Sequence, residues 1–222
     1  MGRTARTEGR QTSLQEFFKK HGGRYKRIRK SCKNRPHPLV YEGKKAILRQ
    51  LELLCQSNLI DLFYADESHF SSEGYVPYAW QFKDENVCVL SEKGYKLNVF
   101  ALISRDNRCI WSISPQSIKA DFVIEQLDKL SFSIQKETVI VLDNARLHKG
   151  RKMKERMAIW QERGLFIFFL PTYSPELNIA ETLWRVMKTK WIRPQDYMSK
   201  DELAYAINRC LANVGKELRN KF

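Results

Sequence analysis

The sequence predicts an α/β domain with a mixed central sheet flanked by helices, on three observations. Residues 59–65 and 139–142 are short, mostly apolar runs, the second rich in β-branched residues, that read as buried central strands. Further strand-like runs lie between them, and stretches with apolar residues at helical spacing lie before, between and after.

The elements follow in order. Residues 1–12 are polar and basic without periodicity, the composition of a disordered arm. Ser13 and Glu16 match a capping box, Phe17 and Phe18 give an apolar face, and Gly22-Gly23 closes a short helix. A helix over 41–57 places Ile47, Leu51 and Leu54 on one face and leads into the strand that delivers Asp66. Strands over 75–82, 97–104 and 109–113 form an antiparallel meander. Phe122, Leu127 and Leu130 mark a helix that crosses back to the strand delivering Asp143. A helix over 149–163 and a strand over 165–170 come next. Ser174 is a natural N-cap, Pro175 suits the first helical position and Glu176 complements the dipole, so a helix is expected from there to about Trp191. Its buried stripe is Leu177, Trp184, Met187 and Trp191, with Glu181 one turn from Leu177 and near Trp184. Ser199 and Glu202 open a last helix whose stripe, Leu203, Ala206, Ile207, Cys210, Leu211 and Val214, packs against the domain or a partner subunit.

Both buried strands deliver an aspartate at their C-terminal end, the edge where α/β sheets bind ligands, and a helix on the sheet can bring Glu181 to the same place. Three carboxylates in one site repel and raise one another's pKa values unless cations are present. Hard oxygen ligands select Mg²⁺ or Mn²⁺, and two such ions about 4 Å apart suit phosphodiester cleavage or transfer. Each acid also has a plainer reading: Asp66 closes a turn, Asp143 caps a loop, Glu181 pairs with Arg185. Asp66-Glu67 resembles a Walker B pattern, but no Gly-x-x-x-x-Gly-Lys-Ser/Thr loop accompanies it. Asn144 is placed to support the metal ligands and His148 to face the site, a structural hydrogen bond being its alternative. Tyr173 and Trp80 are candidates for stacking on bases, with the core the expected place for Trp80.

Asp66-Glu67-Ser68 after a hydrophobic strand, Asp143-Asn144-Ala145 with His148 shortly after, and Leu170-Pro171 through Asn178 with Glu181-Thr182-Leu183-Trp184 resemble the mariner-like DDE transposases, specifically their bacterial insertion-sequence branch. The resemblance spans roughly residues 24–195. It implies a ribonuclease-H-like fold, Asp66, Asp143 and Glu181 as catalytic and metal-binding acids, and a reaction that nicks double-stranded DNA at element ends and joins the freed 3′-hydroxyl to target DNA. It also implies a homodimer or higher assembly on DNA. Ile179 stands where the family commonly has proline, and the stretch from Asp143 to Glu181 is slightly longer than the usual spacing; neither departure touches a carboxylate. Helix-turn-helix modules usually precede such a domain, and here only some 50 residues precede the first strand, so the chain is expected to be N-terminally incomplete, with an upstream DNA-binding subunit as a candidate partner. The alternatives are an inactive or incomplete transposase-derived DNA-binding protein, and a ribonuclease-H-like nuclease without strand transfer.

Composition agrees. The 222 residues are 43% hydrophobic and carry a net charge of +14, which suits a globular domain with a polyanionic partner. Residues 1–40 hold twelve Lys and Arg against Glu8 and Glu16, hence +10 of the +14. Within them Arg24, Lys26, Arg27, Arg29 and Lys30 form a basic run suited to DNA phosphates. The expected organisation is a basic arm over 1–40, a catalytic domain over 41–195 and a C-terminal amphipathic helix over 196–222. Cys32, Cys55, Cys88, Cys109 and Cys210 are scattered without Cys-x-x-Cys spacing, which indicates neither a disulfide framework nor a zinc site. Neither a signal peptide nor a membrane-spanning run is evident, so a cytoplasmic, DNA-associated protein is expected.

Overall fold

The computed structural model describes Glu16 and residues 19–22, 36–72, 82–85, 94–145 and 150–222. The chain divides into two units, Met1–Lys33 and Asn34–Phe222. In the first, Lys19 and Lys20 are helical, and Gly22 closes the turn at φ +76° with its amide donating to the Lys19 carbonyl at 3.1 Å. Glycine is suited to that left-handed position. The basic run from Arg24 to Lys30, most of the expected strand over 75–82, Trp80 and His148 lie outside the described residues.

The second unit opens with helix α1 (Pro38–Gln56), followed by strands β1 (Asp61–Ser71), β2 (Lys96–Ile103) and β3 (Cys109–Ser114). Helix α2 (Ala120–Ser131), strand β4 (Thr138–Leu142), helix α3 (Arg151–Glu162) and strand β5 (Leu165–Phe169) complete the sheet and one covering layer. The five strands lie in the order β3-β2-β1-β4-β5, with β1, β2 and β3 antiparallel and β1, β4 and β5 parallel. Helix α4 (Ala180–Val186) and helix α5 (Lys200–Asn213) follow.

Strand alternation divides the core in two. Leu62, Tyr64, Val99, Ala101, Val139 and Val141 face the side covered by α1, α4 and α5. Phe63, Ala65, Phe100, Leu102, Ile140 and Leu142 face α2 and α3, which contribute Val123, Leu127, Met153 and Trp160. All five residues of β4 are buried, the mark of a central parallel strand. Each fully buried large side chain such as Leu127 contributes about 1.5–3 kcal/mol of transfer free energy. The Trp160 indole N–H also finds a partner, donating to Asp128 at 2.7 Å across the two helices.

Several elements differ from expectation. Helix α1 docks through Leu48, with Leu51 and Cys55 packed beside it, while Ile47 and Leu54 face solvent. The helix carries apolar residues on two sides, and periodicity alone does not say which side the sheet takes. Strand β1 runs past the apolar run that predicts it, so Asp66 lies in mid-strand. Pairing with β2 keeps Asp66 to His69 extended, opposite Ala101 to Asn98, whereas pairing with β4 stops at Tyr64↔Val141. The helix expected from Ser174 to Trp191 is broken: Pro175–Leu177 is a single 3₁₀ turn, Asn178 is extended at φ −100° and ψ 109°, α4 follows, and Met187–Trp191 is a π-helical turn. Helix α5, by contrast, agrees with expectation: of the domain or a partner subunit, its stripe of Leu203, Ala206, Ile207, Cys210 and Leu211 packs into the domain's own core. Its Ser199 cap is present, the side chain accepting from the Glu202 amide at 3.1 Å. Cys55, Cys109 and Cys210 are free thiols, and burial pushes Cys109 up to about 12, so it stays protonated and inert. Among the described residues no helix is long and apolar enough to cross a membrane.

Candidate active site

The two aspartates arrive from neighbouring strands. The β1–β4 register pairs Tyr64 with Val141, and two residues further along each chain stand Asp66 and Asp143. Parallel neighbours are separated by about 4.8 Å, so both acids emerge at one level where β4 ends. Asp143 leaves the strand in a turn of its own making, its Oδ1 accepting from the Ala145 amide at 3.1 Å.

Glu181 arrives from the opposite direction. Asn178, not Ser174, sets the start of its helix. The buried Asn178 side chain accepts from the Ala180 amide through Oδ1 at 3.1 Å and donates from Nδ2 to the Ala65 carbonyl at 3.1 Å. One amide group thus caps the helix and ties it to the residue preceding Asp66. Glu181, the second residue of α4, is exposed rather than embedded among the core residues that its helical spacing suggested. Asp66, Asp143 and Glu181 line one cavity of about 530 Å³, together with Asn144, Tyr173 and Asn178. Tyr173 is exposed there and holds a left-handed backbone at φ 56°, a strained conformation for an aromatic residue.

Alternation puts Asp66 on the face shared with Tyr64, Ser68 and Phe70, which α4 covers. Trp184 therefore reaches it, donating its indole N–H to Asp66 Oδ2 at 3.0 Å while stacking edge-on against Phe70, ring centroids 6.2 Å apart. Lys188, in the π-helical turn, donates to Ser68 Oγ at 2.7 Å and lies 5.0 Å from the Phe70 ring. Burial, then the charges of Glu181 and Glu67, push Asp66 up to about 7 from its ordinary 3.8; the Trp184 hydrogen bond acts in the opposite sense. Burial lowers the Lys188 ammonium below its ordinary value, against the opposing pull of Glu181 and Asp66.

The donor set is one of hard oxygens. Asn144 Oδ1 is buried without a hydrogen-bond partner, as a ligand or support for a cation would be. Among the described residues no three His, Cys, Asp or Glu side chains close into a metal-binding cluster, so the acids share a cavity without meeting at one point. The chemistry of these groups fits an oxygen-preferring divalent cation. Asp66, Asp143, Asn144 and Glu181 thus line one cavity. Sequence reasoning missed Lys188 and the capping role of Asn178, although Lys188 falls two turns beyond Glu181 on one helical face, a readable spacing.

A mixed sheet of this order, with one acid in the middle of β1, one just past β4 and one on a crossing helix, has the ribonuclease-H-like arrangement. The sequence profile of the DDE superfamily endonucleases matches residues 61–204, and the chain belongs to that family. An uncharacterised protein of Sinorhizobium fredii (strain NBRC 101917 / NGR234), y4pE/y4sA, is 30% identical over 78 residues, 35% of this chain and 51% of that one. Among solved structures, the Mos1 transposase paired-end complex with left transposon end is similar at TM-score 0.55 and 13% identity, over 87% of this chain and 60% of that one. The Mos1 mariner paired end complex with Mn gives 0.55 and 13%, over 91% and 63%. The catalytic domain of Mos1 mariner transposase gives 0.52 and 12%, over 82% and 85%. These likenesses concern the fold. The chain matches about half the length of the curated relative and about 60% of the full transposase chains.

Proposed function

We propose that this chain is the catalytic part of a DNA transposase, cutting a phosphodiester at the end of a DNA element and joining the freed 3′-hydroxyl to a second duplex. The observation that carries the reading is the single cavity shared by Asp66, Asp143 and Glu181, in which burial and a neighbouring carboxylate hold Asp66 near 7. A carboxyl in that state takes up either a proton or a cation at neutral pH. The similar Mos1 complex with Mn supports a divalent cation here, Mg²⁺ or Mn²⁺, two ions being the arrangement suited to phosphoryl transfer. Cations bound there would neutralise charge on the scissile phosphate and favour the ionised form of the attacking oxygen.

The chain's own groups do the positioning. Trp184 fixes one oxygen of Asp66, and Asn178 fixes the helix that presents Glu181. Asp143 is held by the Ala145 amide, with Asn144 beside it. Tyr173, exposed at the cavity, offers a ring for a base to stack on. Lys188 contributes positive charge behind the acids. Double-stranded DNA is the partner that the +14 charge suits, with the run from Arg24 to Lys30 on its phosphates. His148, five residues after Asp143 in sequence, would act as a supporting group. An upstream DNA-binding module, on this chain or another, would select the element end.

The test is nicking of a labelled duplex carrying the terminal sequence of the encoding element, in Mg²⁺ or Mn²⁺, with Asp143→Asn in parallel at the same salt. Metal-dependent nicking lost in the variant, followed by joined product, is expected. Nicking without a joined product would make the chain a nuclease. Equal DNA binding with no nicking by either protein would make it a binding-only descendant.

A further inference from the structure

Helix α1 presents two apolar faces, and the domain covers one. Leu48 is buried with Leu51 and Cys55 beside it. On the other side Leu39, Val40, Ile47, Leu53 and Leu54 are 41–77% exposed. Gly43, Ala46 and Gln50 lie between them and are exposed as well. At about 100° per residue these eight positions fall on one arc of about 140°. Val40, Ile47 and Leu54 recur every seven residues, and so do Leu39, Ala46 and Leu53, giving two columns about 100° apart that flank Gly43 and Gln50. Isolated exposed apolar residues are ordinary, but a continuous stripe marks an interaction surface.

We infer that this face pairs with the same face of a second copy of the chain, the two α1 helices running antiparallel about a two-fold axis at Ala46 and Ile47. The stripe is self-complementary about that axis. Ala46 and Ile47 meet their own copies, Leu39 meets Leu53, Val40 meets Leu54, and Gln50 lies over Gly43. A glycine inside an exposed helix weakens it, and a Cβ at Gly43 would meet nothing within 4 Å in this chain, so the space above it is free for a neighbouring backbone. Charge selects the same arrangement. Glu42 and Arg49 are both exposed on one flank of the stripe, seven residues apart. Antiparallel packing brings equal flanks together, so Glu42 of one copy meets Arg49 of the other, twice.

The stripe from Leu39 to Leu54 is about 22 Å long at 1.5 Å per residue. One helix face of that length falls short of the about 800 Å² per partner of a standard interface. The pair is therefore a weak, transient one, and binding to a shared DNA raises its occupancy through effective concentration.

Disulfide trapping and sedimentation of the full chain test the pairing, with the parent and its five native cysteines as background. Under mild oxidation Ala46→Cys is expected to form covalent dimer well above the parent, whereas Leu39→Cys and Leu53→Cys do so only when mixed. Sedimentation from 1 to 200 µM is expected to show a concentration-dependent dimer that Ile47→Glu returns to monomer with unchanged helix content. A chain that stays monomeric with no trapping overturns the inference. So does self-trapping of Leu39→Cys alone, which means parallel packing. A loss of thermal stability on Ile47→Glu in a monomeric parent also overturns it, since the stripe would then be covered within the chain.

Discussion

The Trp184 indole N–H donates to Asp66 Oδ2 at 3.0 Å, so the helix that presents Glu181 is bonded directly to the strand acid it faces. Hydrogen bonding to the ionised form favours ionisation, and this bond opposes the burial and neighbouring charge that hold Asp66 near 7. Trp184→Phe keeps an aromatic ring against Phe70 and removes the donor. A hydrogen bond to a charged group is worth about 1.5–3 kcal/mol, or roughly one pH unit or more. The pH midpoint for Mn²⁺ binding, followed by calorimetry, is therefore expected to rise by about one unit. An unchanged midpoint would show that the bond does not act on the acid.

Asp66 also links stability to pH. Its folded value, about 7, stands above the ordinary 3.8, so between these limits the folded state binds the extra proton. Stability from this group is fully present below about 4 and is lost as pH rises through 7, with a full span on the order of 4 kcal/mol. In chelator at pH 8, Asp66→Asn is expected to melt above the wild type, and the difference should close as the pH is lowered towards 4. Adding Mn²⁺ at pH 8 should raise the wild-type melting temperature and leave the variant unmoved. A variant less stable than wild type at pH 8 without metal would contradict the assignment.

Much of this was readable because the sheet obeys simple patterning. Val139 to Leu142 is apolar throughout because both faces of β4 are covered, and that run locates Asp143 to the residue. The apolar run marks the Asp66 strand but not its full length, since Asp66 to His69 are polar and only pairing with β2 keeps them extended. The helix starts after Asn178 rather than at Ser174 for a different reason. Ser174, Pro175 and Glu176 are good local start signals, yet Asn178 bonds a carbonyl 113 residues away, and that tertiary bond resets the chain between Leu177 and Ala180. Helix α1 shows the same limit in packing: with apolar residues on two sides, only the sheet decides that Leu48 goes in and Ile47 stays out.

Asn178 makes a sharp test of positioning. Removing its amide leaves the buried Ala65 carbonyl and the Ala180 amide without their partner, at a cost of about 1–3 kcal/mol. Displacement of a catalytic group by about 1 Å costs on the order of 100-fold in rate. Asn178→Ala is therefore expected to lower the nicking rate by about two orders of magnitude while DNA affinity holds. Asn178→Asp should be worse, because it keeps the acceptor for Ala180 but sets a carboxylate against the Ala65 carbonyl beside Asp66. Equal rates in all three proteins would remove Asn178 from the positioning of Glu181.

The end of the chain is fastened to the β2–β3 turn, and Gly215 shows how tightly. It holds φ +84°, and a Cβ there would stand 2.6 Å from the Asn107 carbonyl oxygen, closer than backbone atoms allow. Asn107 is itself left-handed at φ 65°, and its side chain accepts from the Asn220 amide at 2.8 Å and donates to the Asn220 carbonyl at 3.2 Å. Gly215→Ala must therefore both strain its own backbone and push the turn away. A cost of at least about 2 kcal/mol is expected, a fall of roughly 4–8 °C in melting temperature for a domain of this size. Gly43→Ala, with open space around the added methyl and an ordinary helical backbone, should raise the melting temperature of dilute protein by comparison. If Gly215→Ala melts with the wild type, the tail is not held against the turn in solution, and the Asn107–Asn220 pair contributes little to the fold.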